Sequence, residues 1–206
     1  MLSASALTGR RPLAGLVLVA VGMVLAVVVV GRSEAQPTGG YLDFSGPGAG
    51  WVEVAHDSAL TPQDEITVEA WVFLRSYTNG FGPDTEGPFI VGKNWVDSYA
   101  LAFSLGNADL LDAYVNGTLV EGPLTVPLNQ WAHVAMTYDG AMLRTYLNGQ
   151  LNGSAPLTGP INSTGDPLQI GNDVQWDRTP DGSIDDVRIW RIARTQAQIQ
   201  SGMDGV

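Results

Sequence analysis

At 206 residues the chain is long enough for one domain with a full hydrophobic core, and a net charge of −11 at pH 7 argues against nucleic acid and anionic lipid surfaces as partners. Cysteine is absent, which excludes disulfide staples and thiolate chemistry of any kind.

Arg10 and Arg11 precede an uncharged apolar stretch from Leu13 to Gly31, and Ser33-Glu34-Ala35 has the small-x-small form of a cleavage site. Residues 1–35 therefore read as a signal peptide, or as an N-terminal membrane anchor if uncleaved, since the stretch is just long enough to cross a bilayer. Either way the remainder is exported: secreted, periplasmic or at the cell surface, touching a membrane only through an uncleaved N-terminal segment. Cleavage would remove Arg10, Arg11 and Arg32 against a single acid, Glu34, leaving the remainder more acidic. Residues 36–40 form a short polar linker ahead of one domain over residues 41–206.

Within that domain, short apolar segments alternate with clusters of Gly, Pro, Asn and Asp, the pattern of an all-β sandwich. The expected strands are 41–44, 51–54, 66–74, 89–93, 99–105, 110–115, 131–138, 142–147, 168–171 and 184–190. In the segment 66–74, Ile66, Val68, Ala70 and Val72 share one face while Thr67, Glu69, Trp71 and Phe73 share the other. Bulk on both faces predicts a strand inside a sheet that is covered on both sides. Asn116-Gly117 and Asn148-Gly149 sit in near-copies of one hairpin turn, and Asp139-Gly140 marks another. Near the end, Thr195 and Gln198 form the pattern of a capping box opening one short C-terminal helix, with Gly202 beyond it.

Four ordered blocks carry a family resemblance. They are Tyr41-Leu42-Asp43-Phe44 with Trp51-Val52-Glu53-Val54; Thr67-Val68-Glu69-Ala70-Trp71; Asn129-Gln130-Trp131-Ala132-His133-Val134-Ala135 through Tyr146-Leu147-Asn148-Gly149; and Gly182-Ser183-Ile184-Asp185-Asp186-Val187-Arg188-Ile189-Trp190. Together they resemble the laminin G-like, concanavalin A-like (lectin/glucanase) jelly-roll domains. The resemblance implies an all-β fold of two antiparallel sheets packed as a jelly-roll sandwich, and a module that binds carbohydrates, proteoglycans or proteins, often with calcium. Ser45 stands where that family often carries Asp.

The loop 172–182 is the expected ligand site, because Trp176, Asp177 and Arg178 combine an aromatic plate with groups that hydrogen-bond sugar hydroxyls. Tyr77 and Trp95, from two other loops, are expected to approach it. Asp173, Asp177 and Asp181 recur at every fourth residue and suggest a bound calcium ion as the one candidate cofactor. Glu69 and Arg188, each mid-strand among apolar neighbours, are expected to form a cross-strand ion pair of structural purpose.

No catalytic residue is assigned. The Glu-x-Asp-x-x-Glu arrangement of the fold's β-glucanases is missing, and although Glu65 and Glu69 could share a strand face, Glu65 is placed at the strand edge in solvent. His56 and His133 lack a nucleophile or metal-ligand partner at motif spacing. The function expected is an exported non-catalytic recognition module, binding carbohydrate or a surface glycoconjugate such as a glycoprotein through loop aromatics and carboxylates. The alternatives are a structural or assembly protein of the cell envelope, binding itself or a protein partner, and a glycoside hydrolase.

Overall fold

The computed structural model describes residues 16–19, 26–29, 40–46, 48–77, 87–104, 110–173 and 177–203. Within the apolar N-terminal stretch, β1 (Leu16–Val19) and β2 (Ala26–Val29) pair antiparallel. No helix among the described residues is long and apolar enough to cross a membrane. The expected anchor or signal role of residues 1–35 otherwise falls outside the described residues.

The domain is a two-sheet sandwich. Its strands are β3 (Leu42–Ser45), β4 (Val52–Val54), β5 (Ile66–Leu74), β6 (Phe89–Lys93), β7 (Tyr99–Phe103), β8 (Leu110–Val115), β9 (Thr118–Thr125), β10 (Trp131–Tyr138), β11 (Met142–Leu147), β12 (Gln150–Pro156), β13 (Leu168–Ile170) and β14 (Asp181–Trp190), followed by α1 (Gln196–Gly202). One six-stranded sheet runs β12-β11-β10-β5-β14-β3, the other β4-β13-β6-β7-β8-β9, and every pairing between these strands is antiparallel. Alternation sends Ile66, Val68, Ala70 and Val72 of the first sheet inward against Tyr99, Leu101, Phe103, Ala113 and Ile170 of the second, giving one continuous core.

β9 and β12 are the return arms of the two Asn-Gly hairpins; Asn116 and Asn148 each adopt φ of 49°, as primed turns require. They meet along one side of the sandwich, where Leu124 N donates to Asn152 Oδ1 at 3.0 Å. β14 begins at Asp181, earlier than the apolar run suggests, because Asp181 and Gly182 pair with Ser45 and Phe44 of β3.

As expected for a central strand, β5 is covered on its outer face, and the cover is the C-terminal segment. Thr67 Oγ1 donates to Ile192 O at 2.7 Å and accepts from Arg194 N at 2.8 Å, Trp71 Nε1 donates to Met203 O, and Ile199 packs on Ala135 and Tyr146. The capping box forms as expected, Thr195 Oγ1 accepting from Gln198 N and Thr195 N donating to Gln198 Oε1.

Candidate functional site

The outer face of the second sheet carries the cleft of interest, and its walls follow from strand alternation. Leu168 and Ile170 of β13 turn inward, which sends Gln169 out; Glu53 does the same on β4. The β6–β7 connection then lays Trp95 over this face. Asn94 takes φ of 39°, Ser98 N donates to Asn94 O at 2.7 Å, and Gly117 N donates to Trp95 O at 3.1 Å, so the loop is tied to the β8–β9 turn. Trp95 meets Tyr114 edge-on with ring centroids 5.3 Å apart and packs on Phe89, Ala100 and Ala102.

A cleft of about 190 Å³ results, lined by the apolar side chains of Trp95, Phe89 and Pro167 and by the polar ones of Glu53, Asn94, Asp166, Gln169 and Asp173. The far wall is held firmly. Asn116 Oδ1 accepts from Asn162 N and Asn116 Nδ2 donates to Pro160 O, Ser98 Oγ donates to Asn162 O, and Asn94 Nδ2 donates to Asp166 Oδ2 at 3.1 Å. Behind that wall Lys93 is fully buried, its Nζ 2.7 Å from His56 Nδ1 and donating to Thr61 Oγ1 at 3.0 Å. Burial pushes the Lys93 ammonium below its usual range, against the pull of Asp166 and Asp57.

Of the residues expected in the ligand site, the structure brings Trp95 and Arg178 together, and Asp173, expected as a calcium ligand, lines the same cleft as Trp95. The Arg178 guanidinium lies 5.5 Å from the Trp95 ring centroid, but it is buried, so it backs the indole rather than facing solvent; Phe89 N donates to Arg178 O at 2.8 Å. Burial lowers the Arg178 proton affinity without discharging it at neutral pH. Asp177, at φ of 51°, pins the loop by accepting at Oδ1 from Gly48 N, Asn172 Nδ2 and Thr179 Oγ1. Tyr77 is turned elsewhere: its hydroxyl donates to Val126 O and its ring packs against the main core. Trp176 lies outside the described residues.

Asp181 forms an ion pair with Arg75 at 2.7 Å, and Arg75 also holds Asp43 at 2.8 Å. Among the described residues no three acid or histidine side chains are grouped as a metal ion would need.

Sequence reasoning passed over Phe89, Asp166, Gln169, Glu53 and Asn94. The signal for Gln169 and Glu53 was there, each being the one polar residue between two core apolar ones. It also passed over Asp112, fully buried beside the same aromatics, whose Oδ2 accepts from Tyr114 OH at 3.1 Å. Burial, opposed by the Tyr114 hydrogen bond and assisted by Glu121 across the strand pair, raises the Asp112 carboxyl to about 7.

The expected Glu69–Arg188 pair is present across β5 and β14, at 3.9 Å, yet it is not the closest contact. Arg194 takes that place, its Nη1 donating to Glu69 Oε1 at 2.6 Å while Trp190 Nε1 donates to the same oxygen at 2.8 Å. Arg188 instead bonds Gly202 O at 2.6 Å and Asp186 Oδ2 at 2.8 Å. His133 is buried 3.9 Å from Glu69 and is held neutral, burial and the two arginines pushing its imidazole down to about 3. The cluster is architectural: it fastens the C-terminal segment to the sheet opposite the cleft.

A family model for the concanavalin A-like lectin/glucanases superfamily, Laminin_G_3, matches residues 46–200. The chain belongs to that superfamily. Among curated proteins it resembles Pappalysin-1 of Mus musculus, at 27% identity over 197 residues, which cover 84% of this chain but 12% of that protein. Pappalysin-1 of Homo sapiens is 32% identical over 80 residues, covering 36% of this chain and 5% of its own length. The chain thus spans a small part of these relatives.

Solved structures share the superfamily fold at low identity. Domain 4 of AbnA, a GH43 extracellular arabinanase from Geobacillus stearothermophilus, solved in complex with arabinotriose, aligns with a TM-score of 0.60 at 18% identity, covering 85% of this chain and 86% of that one. A native heptameric SAP-like pentraxin from Limulus polyphemus aligns with a TM-score of 0.51 at 17% identity, covering 73% and 79%.

Proposed function

We propose that the chain is a non-catalytic carbohydrate-recognition module that takes a sugar unit into the Trp95 cleft. The observation that carries this reading is the make-up of the cleft: its lining combines the apolar Trp95, Phe89 and Pro167, against which a sugar ring can rest, with Glu53, Asp166, Gln169, Asn94 and Asp173, which offer acceptors and amides for its hydroxyls. The likeness to an arabinanase domain solved with arabinotriose supports the same ligand class. The leader-like character of residues 1–35 supports a site of action outside the cytoplasm. Calcium is not needed for this reading.

Calorimetric titration with oligosaccharides found on a glycan array tests the site. Trp95→Ala is expected to weaken binding about tenfold or more while leaving the melting temperature within a few degrees of the parent. Undiminished affinity in that variant would move the site elsewhere.

Assembly is a second reading, favoured by one observation: Leu119, Leu124 and Leu151 are exposed where the edge strands β9 and β12 meet. Sedimentation equilibrium decides it, a monomer at every concentration removing self-association.

A further inference from the structure

The charge of the cleft narrows the ligand further. Its titratable lining is Glu53, Asp166 and Asp173, and no lysine, arginine or histidine stands among the lining residues. Two cations close to lining residues are buried: Lys93, with its Nζ engaged by His56 and Thr61, and Arg178, against the Trp95 ring. A carboxylate or sulfate entering this space would meet acceptors that carry its own sign, in a partly desolvated site where such repulsion is strong. An ammonium group has the opposite fate, since it brings three N–H donors and no acceptor to a lining rich in acceptors. The indole and phenyl rings add a surface against which a cation or the C–H face of a sugar can rest.

Resting on the carbohydrate reading of this cleft, we propose that it selects an amino sugar, a glycan unit bearing a free ammonium, over the same unit N-acetylated or carrying an acidic group. Glu53 and Asp166, two of the acids in the lining, are the residues that confer the preference.

The test is titration calorimetry of the full chain with three oligosaccharides of equal length: β-1,4-linked glucosamine, its N-acetylated form and a uronate oligomer. The glucosamine oligomer is expected to bind about tenfold more tightly than the acetylated one, with the gap shrinking as salt rises. In Glu53→Gln with Asp166→Asn the two should bind alike, and the uronate should not bind the parent protein. Melting curves of the variants confirm that they fold.

Equal binding of the acetylated and free oligomers, abolished by Trp95→Ala, would overturn the charge preference and leave the sugar site standing. Failure of every glycan of any charge to bind would overturn both. A lysine-rich peptide bound as tightly as the amino sugar would mark a general cation site and would also overturn the proposal.

Discussion

Glu69 shows how a single buried charge organises its surroundings. Almost fully buried, it collects Arg194, Trp190, Arg188 and His133, and burial still lifts its carboxyl above the ordinary range despite the arginines. Because Arg194 makes the 2.6 Å contact and Arg188 has Asp186 and Gly202 for partners, removing Arg194 leaves the larger uncompensated charge. Arg194→Met is therefore expected to cost about 3–5 kcal/mol, and more than Arg188→Met, in urea unfolding. The reverse order would show that the cross-strand arginine carries the cluster.

Asp112 makes a different prediction. Its folded carboxyl is raised from 3.8 to about 7, so the stability it contributes as a neutral acid is complete below the unfolded value and is lost as pH rises through about 7. Asp112→Asn keeps an acceptor for Tyr114 and cannot ionise. Relative to the parent, this variant should gain roughly 2–4 kcal/mol at about pH 8 and little at about pH 4. Unfolding curves showing the same difference at both values would mean that Asp112 is ionised without penalty.

At the scale of elements, close approach sets limits that composition does not reveal. Gly171 ends β13 at φ of +79°, and a Cβ there would lie 2.2 Å from the Phe44 ring. Gly171→Ala combines backbone strain with overpacking of a core phenylalanine, and should lower stability by roughly 2–4 kcal/mol. A melting temperature within a degree of the parent would show that Phe44 has room to move.

The interior strands β5, β6, β8, β10 and β11 were legible to the residue, since apolar runs or alternation bounded by turn residues leave them little choice. The capping box was legible for a similar reason, being a local hydrogen-bond pattern. β9 and β12 were not. Thr118–Thr125 contains Gly122 and Pro123, and Gln150–Pro156 ends in proline and is rich in polar residues. Such composition suits edge strands, which are held by pairing on one side. Their contact depends on a glycine: a Cβ at Gly122 would lie 1.7 Å from the Asn152 side chain. Within the site, Trp95 was legible as a loop aromatic, while Asp166 and Phe89 joined it only through a pairing order that brings β13 beside β6.

The whole molecule divides its labour between its two outer faces. The face of the first sheet is closed by the C-terminal segment through Glu69, Arg188, Trp71 and Ile199. The face of the second is left open around Trp95, over a wall anchored by Asn116 and Ser98. A sandwich whose one outer face is covered by the C-terminal segment and whose other carries a cleft is suited to holding a ligand in place.

The most direct test of this account is a two-dimensional NMR titration of the isotopically labelled protein with a binding oligosaccharide. The Trp95 indole N–H, the Gln169 side-chain amide and the backbone of Asn94 and Asp173 should shift together and saturate at one affinity. Shifts gathered instead on α1 and the outer face of β5, with the Trp95 signal unmoved, would contradict it.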